Sequence, residues 1–237
     1  MKRIFSISII AIMATVLLTS VTTRKKKKSN QFRGTITYEL TYESKEFTSI
    51  ELSKYPSSQK VKMYDGMTKF DIVSPGGSIT YVSNPEIDKF MILFEAGLRK
   101  AAIVTKLSEI EAKQDSLKEF TTEIDFSEDT KEIAGYECKK ATVTFTPLEG
   151  VEAEERMFSV FYSPKLGSLK SNEDGPYAGI DGQLLEFYEV SSKLITKMVV
   201  TEIRKGKVKD LDFFLPSDYK EFTPDQEEEF MDYIQGK

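Results

Sequence analysis

The chain has 237 residues, 40% of them hydrophobic and 30% charged, proportions typical of a globular protein with a substantial core. It contains no histidine, which excludes histidine general bases, Ser-His and Cys-His catalysis, and histidine metal sites. A single cysteine excludes an internal disulfide and a zinc site built from several cysteines. The net charge is −5, but seven basic and no acidic residues lie in the first 28, so 26 basic residues face 38 acidic ones in the remainder. A body this acidic repels nucleic acid, and we expect no nucleic-acid partner.

Residues 1–28 have the pattern of an export segment. Lys2 and Arg3 precede a mostly apolar run at 4–21, which is more typical of a signal peptide than of a strong membrane span. Five basic residues at 24–28 follow that run and oppose translocation. Two alternatives stay open: a cleaved signal peptide of a periplasmic or cell-envelope protein, and an uncleaved N-terminal membrane anchor. The basic run has two interpretations: a solvated, disordered N-terminus of the mature protein, or a contact with the membrane through lipid head groups.

Residues 29–237 are expected to form one β domain that ends in a C-terminal helix. In GTITYELTYE, residues 34–43, apolar and polar residues alternate with the period of a half-buried strand. Asp65-Gly66 lies between two such runs and predicts a tight hairpin. Further strands are predicted at 60–64, 67–73, 78–83, 89–94, 121–126, 136–147, 156–162, 183–190, 193–204 and 208–214.

Four segments interrupt this meander. Residues 44–58 are left open between a loop and a short helix. Residues 95–119 space small and apolar side chains at a near-helical period without proline, which predicts a helix that covers the sheet or, alternatively, forms a movable lid over a cavity. A loop is predicted at 163–182. Thr223 and Pro224 have the character of an N-cap and a first helical residue, so a final helix is expected to run to about residue 234.

The stretch KEIAGYECKKATVTFT, residues 131–146, combines the turn signal Ala134-Gly135 with a central strand. Cys138 is out of phase with the apolar residues 141, 143 and 145. A bulge near residues 139–140 would place all four on the inner face. We expect Cys138 to be a buried small hydrophobe, because it has no basic partner that would activate its thiol.

No catalytic residue, cofactor or metal site is predicted, and we expect the protein not to be an enzyme. Glu186 and Glu202 can lie across a hairpin from each other, but nothing marks them as an acid and base pair. The acidic residues of the 163–182 loop do not have the spacing of an EF-hand. Phosphate-binding, dinucleotide-binding and nucleophile-elbow patterns are absent from the sequence.

Aromatic residues are numerous, with 11 tyrosines and 16 phenylalanines but no tryptophan, and many occupy alternate positions of the predicted strands. Large aromatic side chains dominate ordinary sheet cores, which is one interpretation. The other is a concave apolar cavity for an acyl chain or a similar ligand, formed where a sheet curls without filling its interior.

Six short segments follow one another between about residues 31 and 224: RGTITYEL, MYDGMTKFDI, SITYVSNPEIDKFMIL, KEIAGYECKKATV, DGQLLEFY and FFLPSDYKEFTP. Together they resemble a family of exported bacterial proteins of unknown function with a LolA/LolB-like fold. The resemblance implies a curled antiparallel sheet, a half-open β-barrel, covered by helices. In the lipoprotein carriers of that superfamily the concave apolar face holds acyl chains. This chain has no lipobox cysteine after its apolar run, which excludes lipid attachment there.

Our leading hypothesis is a non-enzymatic periplasmic or envelope binding protein that holds a lipid, an acyl chain or another apolar ligand in the concave sheet. Strand phase predicts eight cavity-lining residues: Tyr38, Leu40, Tyr81, Leu93, Phe94, Phe187, Tyr188 and Met198. The alternative is a structural or assembly protein of the cell envelope that binds a protein partner through its acidic surface and sheet edges, without a small-molecule ligand.

Overall fold

The computed structural model describes residues 32–74, 77–114, 118–167 and 175–236, so the predicted export segment at 1–28 lies outside the described residues. The described residues form one 12-stranded sheet, which confirms the predicted mainly β class. Its strands are β1 (Gly34–Glu43), β2 (Ser58–Tyr64), β3 (Met67–Ser74), β4 (Gly77–Asn84), β5 (Lys89–Ala96), β6 (Arg99–Lys106), β7 (Phe120–Ile133), β8 (Tyr136–Pro147), β9 (Arg156–Ser163), β10 (Gln183–Val190), β11 (Ile195–Lys205) and β12 (Lys220–Phe222).

The sheet is a meander with one rearrangement. Its strand order is β12-β6-β5-β4-β3-β2-β1-β11-β10-β9-β8-β7. Strand β1 pairs with β2 on one side and with β11 on the other, and so connects the strands β2 to β6 with the strands β7 to β11. Neighbouring strands are antiparallel except for β12, which pairs with β6 in parallel. The sheet is open, with β7 and β12 at its two edges.

Two predicted hairpin turns are confirmed. Asp65 and Gly66 join β2 to β3 with φ values of 48° and 84°, and Ala134 and Gly135 join β7 to β8 with 51° and 79°. Two central residues with positive φ are the hallmark of type I′ turns, whose twist matches that of the flanking strands. Asparagine, aspartate and glycine tolerate this backbone conformation best, which is why Asp65-Gly66 was readable from the sequence.

Helices are few and short among the described residues. None of them is long and apolar enough to cross a membrane. The α-helices are α1 (Ser49–Leu52), α2 (Leu107–Gln114) and α3 (Glu227–Gln235), and the 3₁₀ turns are Pro164–Leu166, Asp210–Phe213 and Pro224–Gln226. Helix α1 settles the open segment 44–58: Thr48 and Glu51 form a capping box that starts one short helical turn.

One face of the sheet carries the larger group of buried side chains, and we call it the inner face. Its members come from β1 to β5 and from β7 to β11, and include Ile36, Phe70, Val143 and Val160. Alternate residues of each strand supply them, because successive side chains point to opposite faces. Burying each large apolar side chain contributes about 1.5–3 kcal/mol, so this face holds most of the driving force for folding.

The half of the sheet from β3 to β6 is also covered on its outer face. Phe213, from the turn at Asp210–Phe213, is fully buried against Met67, Met91 and Leu93. The opposite face of β5 and β6 meets α3, whose Phe230 packs on Phe94 with ring centroids 4.8 Å apart. This half therefore has apolar contacts on both sides.

The predicted helix at 95–119 is wrong over its first half. Residues 99–106 form β6, which pairs along its whole length with β5, and residues 107–114 are helical. Gly97 takes φ 61° at the hairpin turn, and the neighbouring Leu98 is fully exposed. The near-helical spacing failed because pairing with β5 buries Ala101 and Ala102 on opposite faces of a strand.

The predicted strand at 208–214 is also wrong. Residues 210–213 form a 3₁₀ turn, and the Asp212 carboxylate accepts a hydrogen bond from the backbone N–H of Lys209 at 3.3 Å. Local aspartate bonds of this kind compete with sheet pairing. The final helix, in contrast, begins near Thr223 as predicted, where the Thr223 N–H donates to Gln226 Oε1 at 3.0 Å.

The predicted bulge near residues 139–140 is wrong as well. Strands β8 and β9 pair without a register shift from Lys139 to Phe145. The irregularity lies on β7 between Phe126 and Thr130, whose partners on β8 are Ala141 and Lys139, so the extra residues belong to the neighbouring strand. Cys138 is fully buried, as predicted, and belongs to the same buried cluster as Ala141. Burial raises its thiol pKa to about 11.

Candidate functional site

Five of the eight predicted lining residues share the inner face. They belong to one buried cluster and come from β1, β4, β10 and β11: Tyr38, Leu40, Tyr81, Phe187 and Met198. Leu40 lies opposite Met198, which in turn lies opposite Phe187, and the Tyr38 and Phe187 rings meet edge to face at 5.8 Å. All five side chains pack against protein in this structure. Whether any of them contacts a ligand stays a prediction.

The other three are not buried members of that cluster, although Tyr188 packs against it. Leu93 belongs to the outer-face cluster around Phe213, and Phe94 lies under α3. Tyr188 stacks on Phe158 with ring centroids 4.1 Å apart and lies opposite Lys197. Neighbouring residues of a regular strand point to opposite faces, so Leu93 with Phe94, and Phe187 with Tyr188, cannot line one cavity together.

A cleft of about 300 Å³ opens at one end of the sheet, and we call it the rim cleft. It is bordered by the end of β1, the start of β7, the segment between β8 and β9, and the hairpin between β10 and β11. Its lining residues are Glu43, Ser44, Lys45, Phe120, Glu152, Ala153, Glu154, Arg156, Val190, Ser191, Ser192, Lys193, Leu194 and Ile195. None of the eight predicted residues is among them.

Largely exposed ion pairs lie on the walls of the rim cleft. Lys45 and Arg156 both reach the Glu154 carboxylate, at 3.1 and 3.4 Å. The hydrogen bond from Lys45, and then the charges of Lys45 and Arg156, lower the pKa of Glu154. On another wall the Glu119 carboxylate accepts hydrogen bonds from the backbone and hydroxyl of Ser192. The cleft thus combines apolar side chains with paired charges of both signs.

A carboxyl group lies on the inner face beside this end of the sheet. Glu189 is opposite Thr196, and Thr196 is opposite Tyr42. Directly opposed residues of antiparallel strands share a face, so the three form a row adjacent to the Leu40, Met198 and Phe187 row. Burial raises the pKa of the Glu189 carboxyl to about 8.

Three tyrosines lie near the Glu189 carboxylate: Tyr38, Tyr42 and Tyr177. Burial raises the pKa of each phenol, and the negative charge of Glu189 raises it further. The Tyr42 hydroxyl donates to the Pro56 carbonyl at 2.6 Å. The Tyr177 hydroxyl donates to the carbonyl of Tyr188 and accepts from its N–H. Both hydroxyls therefore donate their hydrogen bond to a main-chain carbonyl and not to Glu189.

The sequence reasoning missed Glu189, although a signal was present. Glu189 follows Phe187 by two residues in one strand, so the phase that predicted an inward Phe187 also predicts an inward Glu189. A charged residue at an inward position of an apolar strand is unusual, because an ionised side chain is costly to bury without a partner.

Glu186, in contrast, is a buried carboxylate with two partners. Lys131 Nζ and Lys197 Nζ lie 2.6 and 2.7 Å from its oxygens. Burial opposes ionisation, but the hydrogen bonds and charges of the two lysines outweigh it and hold the pKa of Glu186 below its ordinary value. Glu202 pairs with Arg204 and lies opposite Thr37, so Glu186 and Glu202 do not face each other.

The described residues contain no group of three or more histidine, cysteine, aspartate or glutamate side chains that could hold a metal ion. Comparison with models of known protein families gives no match, and comparison with curated proteins gives none. The resemblance to LolA/LolB-like proteins therefore stays a prediction.

Proposed function

We propose that the protein is a non-enzymatic, exported binding protein of the cell envelope with a LolA/LolB-like half-barrel, and that it holds an amphipathic ligand such as a lipid or an acylated molecule. The observation that carries this proposal is the rim cleft beside the apolar inner face. The sequence pattern of residues 1–28 supports export to the periplasm or anchoring in the membrane.

The composition of the rim cleft suits an amphipathic ligand. Phe120, Val190 and Ile195 are half-buried there and can cover an apolar chain. Lys45, Arg156 and the glutamates around them lie at the same opening and can meet a polar head. Ligand sites are commonly concave, mostly apolar and supplied with a few polar groups, and a volume near 300 Å³ is at the lower end of their range.

Two residues of the rim cleft, Phe120 and Val190, pack against the buried cluster of the inner face. Tyr38, Leu40 and Met198 are almost fully buried and pack against their neighbours. A chain that enters deeper must part these side chains, which costs packing contacts. We therefore place the apolar part of the ligand first against the rim residues, with the five inner-face residues as the continuation of its path.

A titration of the full chain with an environment-sensitive fluorescent fatty-acyl probe tests this proposal. Phe120→Ala removes an apolar wall of the cleft, and we expect it to weaken probe binding about tenfold, equivalent to about 1.4 kcal/mol. Leu211→Ala is the control, since Leu211 is exposed and lies outside the cleft. Equal binding by the two variants, or no binding by the wild type, would contradict the proposal.

The edge strand β7 favours a second candidate function, docking of a protein partner. It has 14 residues and, among the described strands, pairs only with β8, which leaves one row of backbone groups open to another strand. Phe126 on β7 and Met157 on β9 are 59% and 67% exposed.

Affinity capture with the wild type and with Phe126→Lys tests this candidate. A stoichiometric envelope partner that is lost in the variant would support it, and equal capture by the two proteins would contradict it.

A further inference from the structure

Strands β9 and β10 stop pairing partway along their length. Their ladder ends at the pair of Glu186 with Phe161, and no further residue pair joins the two strands, both of which the structure describes in full. Both strands nevertheless continue, β9 along β8 and β10 along β11. Residues 157–160 and 187–190 therefore lie on the two sides of an interruption in the sheet, which we call the β9–β10 gap.

The gap opens into the rim cleft. Arg156 precedes the unpaired part of β9, Val190 ends that of β10, and both residues line the cleft. Aromatic contacts connect the two places. Phe120 of the cleft meets Phe145 with ring centroids 6.2 Å apart, and Phe145 meets Phe158 of the gap at 5.9 Å. An apolar path thus leads from the cleft into the sheet.

Aromatic side chains occupy the gap where a strand ladder would otherwise continue. Phe158 of β9 stacks on Tyr188 of β10 with ring centroids 4.1 Å apart. The Tyr177 hydroxyl accepts a hydrogen bond from the Tyr188 N–H at 3.0 Å and donates one to the Tyr188 carbonyl. In an antiparallel ladder both groups of such a residue bond to the main chain of one neighbouring strand. The Tyr177 side chain therefore takes the place of β9 as the hydrogen-bond partner of Tyr188.

An apolar chain can enter this gap without parting two paired strands. Parting a ladder leaves several buried main-chain donors and acceptors unpaired, which is costly. Here the groups that must move are the rings of Phe158 and Tyr188, which are half-buried and can change rotamer, and the hydroxyl of Tyr177. A chain that replaced the rings would regain apolar contacts with both strands. The gap is therefore the easiest route from the cleft into the sheet.

We infer that the β9–β10 gap is the subsite for the apolar tail of the ligand, and that the Tyr177 hydroxyl holds the gap closed until the tail enters. The tail that fits is a single flexible alkyl or acyl chain, because the gap lies between two strands of one sheet and is lined by aromatic rings. The inference rests on the proposed function for the existence of an amphipathic ligand, and on the separation of β9 from β10 for the position of its tail.

Photo-cross-linking locates the tail directly. The probe is dodecanoic acid with a diazirine next to its terminal methyl group, and it is irradiated with the full wild-type chain. Peptide mass spectrometry then maps the labelled residues, and an excess of unmodified dodecanoic acid shows which labels are specific. We expect specific labels in residues 157–160 and 187–190. Labels confined to rim residues such as Phe120 and Lys193 would overturn the inference.

Tyr177→Phe tests the hydroxyl and keeps the ring. In the wild type, entry of the tail breaks the hydrogen bonds between Tyr177 and Tyr188, whereas the variant has none to break. We therefore expect the variant to bind the fluorescent acyl probe about fivefold more tightly, a gain that a merely structural hydroxyl would not give. Tyr42→Phe is the matched control, since its hydroxyl donates to the Pro56 carbonyl outside the gap, and its affinity should equal that of the wild type. Circular dichroism confirms that both variants fold.

The outcomes distinguish this inference from the proposed function. If the probes bind the wild type but label the rim alone, the gap subsite is overturned and the rim cleft stands. Labels in the gap with an unchanged affinity of Tyr177→Phe would support the subsite and overturn the role of the hydroxyl. Absence of binding and of any specific label overturns both proposals. If Tyr177→Phe does not fold, the position of the label in the wild type decides the subsite by itself.

Discussion

The two halves of the sheet differ in the polarity of the side chains at their buried positions. From β3 to β6, both faces are covered by apolar side chains, with Phe213 on one side and Phe230 of α3 on the other. From β9 to β11, the strands instead carry Glu186 and Glu189, and they end at the rim cleft. The first half has the composition of a structural core, and the second keeps polar groups where apolar ones would be more stable.

This difference indicates where function lies. A buried carboxyl group without a partner costs folding free energy, and departures of this kind concentrate at functional sites. Glu186 alone would not carry that inference, because its two lysines form a structural ion-pair group. Glu189 supports the inference, because burial raises its pKa and no lysine or arginine among the described residues offsets that shift.

The largest expected effect is on the covered half. Phe213→Ala removes a fully buried ring from the outer face, and we expect a loss of about 3–5 kcal/mol in the free energy of unfolding. Leu211→Ala, in the same short turn but exposed, should change it by less than about 0.5 kcal/mol. Denaturant unfolding measures both. A small effect of Phe213→Ala would show that this half is not the more tightly packed one.

A smaller effect, with a distinctive pH dependence, is expected at Glu189. Its folded pKa of about 8 exceeds the ordinary 4.5, so the stability linked to its proton is present at low pH and is lost as the pH rises toward 8. Between about pH 5 and pH 9, the wild type should lose on the order of 2 kcal/mol more than Glu189→Gln, partial solvent contact reducing the full effect. Parallel pH profiles of urea unfolding for the two proteins would contradict the assigned pKa.

The smallest effect is expected at Glu186, and its sign is opposite. Glu186→Gln weakens two short contacts to lysines that remain partly exposed, so we expect a loss of about 1 kcal/mol at neutral pH. Because the folded pKa of Glu186 is lowered, this stabilisation is present above about pH 4.5 and is lost as the pH falls through the folded pKa. Urea unfolding at about pH 7 and pH 3 measures it, with Glu202→Gln as the reference. A variant that gained stability at neutral pH would show that the lysines do not compensate for burial.

Local chemistry made part of the fold predictable. Asp65-Gly66 and Ala134-Gly135 specify their turns through backbone preferences of two residues, and the alternation in GTITYELTYE specifies a strand by itself. Residues 99–106 could not be assigned in this way, because β6 is a strand by virtue of its pairing with β5. The outward turn at residues 210–213 likewise depends on the outer-face cluster that Phe213 completes.

The candidate site was predictable only in part, for a related reason. Strand phase placed Tyr38, Leu40, Tyr81, Phe187 and Met198 together on the inner face. It could not show that they fill that face, since packing depends on which strands become neighbours. The rim cleft joins residues from four separate parts of the chain, so its assembly follows from strand order and from no local motif.

The most direct test of the central claim is mass spectrometry of the full-length protein, purified from its own cells without detergent. The protein is measured intact under native conditions and again after solvent extraction. Binding of an amphipathic ligand predicts one extractable amphiphile per chain. A bare polypeptide that also fails to take up the acyl probe would contradict the account.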